Sequence, residues 1–150
     1  MNYSNKNMKS NFYLLTFLLI IFFTINGYAA ERKKNNFNSE WRLQVGDFPQ
    51  AKKPDFKDSS WKQVTLPHAF NEDEAFRISI EQHTDTVVWY RKHFRIEELR
   101  GKKVFVEFEG VRQGGEFFLN GQYLGLHENG VMAVGFDLTP YMKEGDNVLA

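Results

Sequence analysis

The sequence predicts an all-β domain of the sandwich or barrel class, and three observations carry that prediction. Short alternating apolar runs recur from Trp41 to Ala150, each closed by Gly, Pro, Asn or Asp. An Asn120-Gly121 pair stands between two such runs, the strongest short signal for a hairpin. Seventeen aromatic residues fall within the 121 residues after Ala29. That enrichment suits half-buried strands and equally suits sugar recognition, so it does not choose between them.

Taken in order, the first 29 residues are expected to be an address rather than part of the fold. Lys6 and Lys9 form a positive n-region, and Phe12 to Ile25 is a fourteen-residue run broken only by threonine and otherwise apolar. Asn26-Gly27-Tyr28-Ala29 then offers small residues for cleavage after Ala29. This order reads as a Sec-type signal peptide, removed on export to the periplasm or the cell exterior. Fourteen helical residues rise only about 21 Å, short of a hydrocarbon core of about 30 Å, so a retained membrane anchor is not expected. With no cysteine in the chain, neither a lipidated N-terminal Cys nor a disulfide is available.

The remainder carries 17 Lys and Arg against 19 Asp and Glu. A mildly acidic chain with no basic block gives no support for nucleic-acid binding. Residues 30–40 are polar and charged and are expected to be a flexible lead, with the domain proper over 41–150.

Trp41 to Val45 alternates, with Trp41, Leu43 and Val45 on one face, and Gly46-Asp47 ends it. The stretch to Ser60 contains Pro49 and Pro54 and is expected to be loop. Trp61 to Leu66 makes a second short strand, stopped by Pro67. Phe70 to Asp85 has no period and is read as a long acidic loop, a length that is usually functional or disordered.

Val87 to Ile96 is the longest strand. Val88, Tyr90, Phe94 and Ile96 are assigned inward, while Arg91, His93 and Arg95 are assigned to a solvated face or a domain interface. Lys103 to Phe108 repeats the alternation with Val104, Val106 and Phe108. The hairpin Glu116–Leu119, Asn120-Gly121, Gln122–Leu124 follows. Gly114-Gly115 marks a bulge or a strand entry. Val134, Phe136 and Leu138 alternate again, and Thr139-Pro140 predicts an N-cap opening one short helical turn. Val148 to Ala150 begins a further strand. Its position at the end of the sequence suggests a truncated domain with an exposed apolar edge.

Four segments resemble one known family. Leu66-Pro67-His68 is similar to its Leu-Pro-His loop, and Trp89-Tyr90-Arg91-Lys92-His93-Phe94 to its Trp-Tyr-Arg-Lys-x-Phe strand. Phe108-Glu109-Gly110-Val111 with Phe118-Leu119-Asn120-Gly121 resembles its Phe-Glu-Gly-Val and Val-Asn-Gly pair. Phe136 to Tyr141 and Asn147 to Ala150 resemble its closing Phe-Asp-Ile-Thr and Asn-x-Leu-Ala segments. The family is glycoside hydrolase family 2, the β-galactosidases, β-glucuronidases and β-mannosidases, through its N-terminal sugar-binding domain. The resemblance implies a jelly-roll β-sandwich of the galactose-binding type. It further implies an immunoglobulin-like sandwich and a catalytic barrel beyond Ala150.

Glycoside hydrolysis needs two carboxyl groups about 5–5.5 Å apart for retention, one with a raised pKa and one ionised. The resemblance places both on the barrel, so no catalytic residue is expected in this chain. Glu72-Asp73-Glu74 is the acidic cluster of note. It reads as a solvated loop or as a loop reaching toward the barrel's pocket, which makes Asn71 and Glu72 candidate substrate contacts. His127-Glu128-Asn129-Gly130 follows a strand, where the family often has His-Glu-Gly-Gly and then an aromatic. Here Asn129 and Val131-Met132 depart from that pattern. His127 and Glu128 are candidate contacts, against the reading of a tight turn with satisfied polar groups. His68 is read as a packed, hydrogen-bonded histidine rather than a ligand.

The histidines have no metal spacing, and no cofactor is expected. The expected partners are an oligosaccharide or glycoside bound through the parent enzyme, and that enzyme's own barrel. No nucleic acid is expected, and no membrane after signal cleavage. Two functions follow: a non-catalytic domain of a secreted glycoside hydrolase, or a free-standing carbohydrate-binding module.

Overall fold

Period-two alternation sends one face of each strand to a core, and two antiparallel sheets result. The computed structural model describes residues 32–71 and 86–150; the expected signal peptide and most of the 70–85 loop lie outside the described residues. Among the described residues the strands are β1 (Trp41–Val45), β2 (Lys62–Val64), β3 (Val88–Ile96), β4 (Phe105–Phe108), β5 (Gly115–Leu119), β6 (Gln122–His127), β7 (Val134–Asp137) and β8 (Gly145–Leu149). Six form one sheet in the order β2-β1-β3-β8-β5-β6, and β4 pairs with β7 in a second. All pairings are antiparallel. The fold is the all-β sandwich expected.

The core lies between the sheets. Trp41, Leu43, Leu119 and Leu149 of the large sheet meet Val106 of the small one, with Phe108 and Phe136 packed against them. Rings knit the layers: Phe108 and Phe136 lie 5.1 and 4.8 Å from Phe117, in the tilted geometry that suits aromatic quadrupoles. Asn120 and Gly121 both have positive φ, 52° and 84°, as the hairpin turn between β5 and β6 requires. A bulge opposite Phe117 and Phe118 lets Gly125 sit beneath the Phe136 ring.

Four expectations are corrected. Arg91 is fully buried rather than solvated, because the chain from Gly46 to Ser60 folds over the outer face of the large sheet. That covering segment contains a 3-10 turn over Pro49–Lys52 and buries Ala51, Asp58 and Trp61. Second, Phe37 to Glu40 is not a free lead. Phe37 packs edge-on against Trp41 and Phe94, its carbonyl accepts from Trp41 Nε1 at 2.9 Å, and Asn38 O accepts from Leu66 N.

Third, Thr139 does not cap a helix. Its amide donates to Asp137 Oδ1 at 2.9 Å, while Leu138 O accepts from both Tyr141 N and Met142 N, closing a single turn. Fourth, β8 is no edge. It lies between β3 and β5, and Ala150 exchanges both backbone hydrogen bonds with Phe118 at 2.8 Å.

Candidate functional site

The most elaborate polar arrangement joins the covering segment to β3. Strand alternation puts Arg42, Arg91 and His93 on the outer face, with Arg42 directly opposite Arg91 across the β1–β3 ladder. Two like charges so placed repel, and a carboxylate between them relieves it. Asp58 supplies it: Oδ1 accepts from Arg42 Nη1, and Oδ2 accepts from Arg91 Nε at 2.6 Å and pairs with His93 Nε2 at 2.7 Å. The remaining Arg91 donors reach Ala51 O, Lys53 O at 2.9 Å and Phe56 O at 3.4 Å, with the guanidinium 5.4 Å from the Phe56 ring.

Burial alone would raise the Asp58 pKa. Hydrogen bonds from His93 and Arg91, with their charges, outweigh it and hold the carboxyl below its ordinary value. Asp58 is the buried carboxylate among the described residues, and it is locked in its ionised form. A general acid needs the opposite. With its two oxygens taken up by Arg42, Arg91 and His93, the carboxylate anchors the covering segment to the sheet.

Lys92 interrupts the apolar face of β3 and is nevertheless buried. Its stem crosses the core while Nζ donates to Ser39 O at 2.5 Å and lies 5.3 Å from the Phe37 ring. A buried ammonium is tolerable only with such partners.

Of the candidate contacts, Asn71 and Glu128 lie outside the strands, and His127 is the last residue of β6. His127 ends β6 opposite Gly115, half-buried, and its Nε2 is buried without a hydrogen-bond partner among the described residues. Glu128 is exposed and lies alongside Gly114. Asn129 Oδ1 accepts from Val131 N at 3.1 Å, and Gly130 packs so closely on the 112–113 backbone that a Cβ would come within 3.2 Å of Gln113 N. The loop is therefore braced, and it holds Glu128 outward beside Val131 and Met132, which are 90% and 59% exposed.

Asn71 is half-buried, and Glu72 lies outside the described residues. His68 Nδ1 is 3.2 Å from Tyr90 Oη, the packed, hydrogen-bonded state expected of it. Strands β3 and β6 run in opposite directions, so the end of β6 and the start of β3 share one end of the sheet. The structure thus brings Glu128 to the Arg112–Gly114 loop. It keeps β6 apart from β3, with β8 and β5 between them.

Sequence reasoning missed Asp58 and the burial of Arg91. The signal was faint: Trp89 shares the face of β3 that carries Arg91 and His93, so that charged face could also be covered. Among the described residues, no group of three or more His, Asp or Glu is placed to hold a metal ion.

Fold and site together define an all-β sandwich domain whose buried charges are paired within the structure and whose exposed Glu128 follows the end of β6. Residues 35–150 match the family described as glycosyl hydrolases family 2, sugar binding domain, and the chain belongs to that family. It is 38% identical over 131 residues to a β-glucuronidase of Formosa agariphila, covering 81% of this chain and 13% of that protein. It is also 38% identical over 132 residues to the β-galactosidase BoGH2A of Bacteroides ovatus, covering 81% and 15%.

Among solved structures, a β-glucuronidase from glycoside hydrolase family 2 superposes with a TM-score of 0.69 at 34% identity, covering 79% of this chain and 14% of that one. A β-glycosidase from Bacteroides vulgatus gives 0.69 at 33%, covering 79% and 16%. The chain spans only about one seventh of these relatives.

Proposed function

We propose that this chain is the non-catalytic N-terminal domain of a secreted glycoside hydrolase, a protein that hydrolyses O-glycosyl bonds of β-linked galactosides or glucuronides. The carrying observation is the family match over 35–150 in a chain that spans 13–15% of its curated relatives. The catalytic pair of carboxyl groups belongs to a barrel beyond residue 150, and the sandwich supports that barrel and lends end loops to its rim. Asn71, Glu72, His127 and Glu128 are the contacts assigned to that role. The choice of galactoside or glucuronide follows the names of the relatives. Export follows the charged, apolar and small-residue order of residues 1–29.

The test is expression of the full gene product, fractionation of the host, and assay on aryl β-galactoside and β-glucuronide. Turnover of one substrate by exported protein, with none by the 150-residue chain, is the expected result. Full-length protein inactive on both would overturn the reading.

A further inference from the structure

Among the described residues Asn is followed by Gly at Asn120-Gly121 and at Asn129-Gly130. In such a pair the backbone nitrogen after the asparagine can attack the side-chain amide carbon and close a succinimide ring. Glycine hinders this least, because it places no Cβ beside that nitrogen. The dipeptide is the same at both places, so the fold decides which one reacts.

Asn120 is held away from this chemistry. Its Oδ1 accepts from Val148 N at 3.0 Å, and its Nδ2 donates to Tyr141 O at 3.0 Å and to Asn147 Oδ1 at 2.8 Å. The nearest of these partners is 21 residues along the chain. The carboxamide therefore reaches across to another segment, and it cannot fold back onto Gly121 without losing those bonds.

Asn129 is held the opposite way. It is exposed, and its Oδ1 accepts from Val131 N, two residues on, at 3.1 Å. That bond closes a turn in which Asn129 Cγ and Gly130 N belong to one small ring of atoms. The same donor faces the oxygen that turns negative when Cγ is attacked, as backbone N–H groups do for other tetrahedral intermediates. Glycine at 130 is also required by packing. A Cβ there would come within 3.2 Å of Gln113 N, which is backbone rather than a movable side chain. Seating on the 112–113 backbone thus keeps the least hindered neighbour next to Asn129.

We infer that Asn129 is a site of spontaneous modification, converted to aspartate and isoaspartate by its own backbone. Hydroxide takes the Gly130 amide proton, and the nitrogen bonds to Asn129 Cγ. The Cγ–Nδ2 bond then breaks as Nδ2 takes a proton from water, which releases ammonia and returns the hydroxide. Water opens the ring at either carbonyl. One opening leaves aspartate, and the other leaves isoaspartate, with the chain running through the former side chain. The sum is an amide and water giving a carboxylate and ammonium, with nothing oxidised or reduced. Either product sets a new carboxylate beside the exposed Glu128. Isoaspartate also adds a methylene to the backbone next to Gly130, which loosens its seat. This chemistry does not depend on the proposed function.

The test ages the full-length gene product at mildly alkaline pH in heavy-oxygen water, which marks conversion during ageing, and maps its peptides by tandem mass spectrometry. Asn129 should convert at least about 10-fold faster than Asn120, whose attack first requires its hydrogen bonds to break. Both aspartate and isoaspartate should appear, and the rate should rise with pH. In denaturant the two pairs should converge on similar rates. Asn129 that stays intact, or converts no faster than Asn120 in the folded protein, would overturn the inference. Aspartate without isoaspartate would mean direct hydrolysis and would overturn the ring. A difference that persists in denaturant would trace to neighbouring residues and overturn the role given to the fold. Glycosidase turnover is measured separately, so the proposed function stands or falls apart from this result.

Discussion

Asn120 Nδ2 donates to Asn147 Oδ1 at 2.8 Å, which ties the β5–β6 hairpin turn to the start of β8. Each amide is then fully used. Asn120 also donates to Tyr141 O and accepts from Val148 N. Asn147, 1% exposed, donates to Lys143 O and Gly145 O and accepts from Lys143 N. Buried donors and acceptors so satisfied are costly to orphan.

Asn147→Ala is therefore expected to destabilise the domain by about 2–4 kcal/mol, several partners losing their bonds at once. Asn120→Asp is the subtler change. It puts a carboxylate against Tyr141 O and Asn147 Oδ1, two acceptors, and should cost about 1–3 kcal/mol. Urea denaturation of both variants checks the values, and a loss under 0.5 kcal/mol would show that water replaces the network.

At the covering segment, Asp58→Ala leaves the Arg91 guanidinium buried with its carboxylate gone. The expected loss is about 3–5 kcal/mol. Arg42→Ala, at a partner 37% exposed, should cost only about 1 kcal/mol or less. Equal losses in the two would contradict the assignment of Arg91 as the buried pole. Thermal unfolding of both variants decides it.

The same carboxylate predicts an acid dependence. The folded-state pKa of Asp58 lies below its ordinary value of 3.8. Its contribution to stability is thus fully present above that value and is lost as pH falls through it toward the lower folded-state pKa. Denaturant midpoints between pH 7 and pH 2 should drop mainly below about pH 4. In Asp58→Asn that part of the drop should be missing.

Packing between the sheets can be probed at Gly125, where a Cβ would stand 2.9 Å from Phe136 Cε1. Gly125→Ala should cost about 1–3 kcal/mol by overpacking. Combining it with Phe136→Leu should recover part of that loss. A double-mutant cycle with no coupling would place the strain elsewhere.

For the candidate contacts, Glu128→Gln in the full-length protein should raise KM about 3–10-fold with kcat and Tm little changed, since Glu128 is exposed and removes binding rather than chemistry. A change in Tm with KM intact would make it a loop-bracing residue.

What was legible in the sequence followed from local rules. Alternation located the strands of the described residues to within a few positions, and Asn120-Gly121 marked the hairpin, because period and turn chemistry act between neighbours. Arg91 was misassigned because its partner Asp58 lies 33 residues away, and alternation cannot tell a wet face from a covered one. Phe37 was missed for the same reason: one aromatic in a polar stretch shows its value only against Trp41 and Phe94. On the candidate site, the sequence located the His127–Glu128 loop but not its bracing by Gly130 on the 112–113 backbone, a contact between segments with no shared pattern.

The central place of β8 also bears on how the domain is made. Ile96 pairs with Gly145, so the middle of the sheet joins residues synthesised several seconds apart at about 5–20 residues per second. Until β8 emerges from the ribosome, β3 with β1 and β5 with β6 are two separate ribbons with raw edges. Such high contact order favours late, slow closure of the sheet over stepwise folding during translation. The nascent domain thus stays pliable until β8 is in hand.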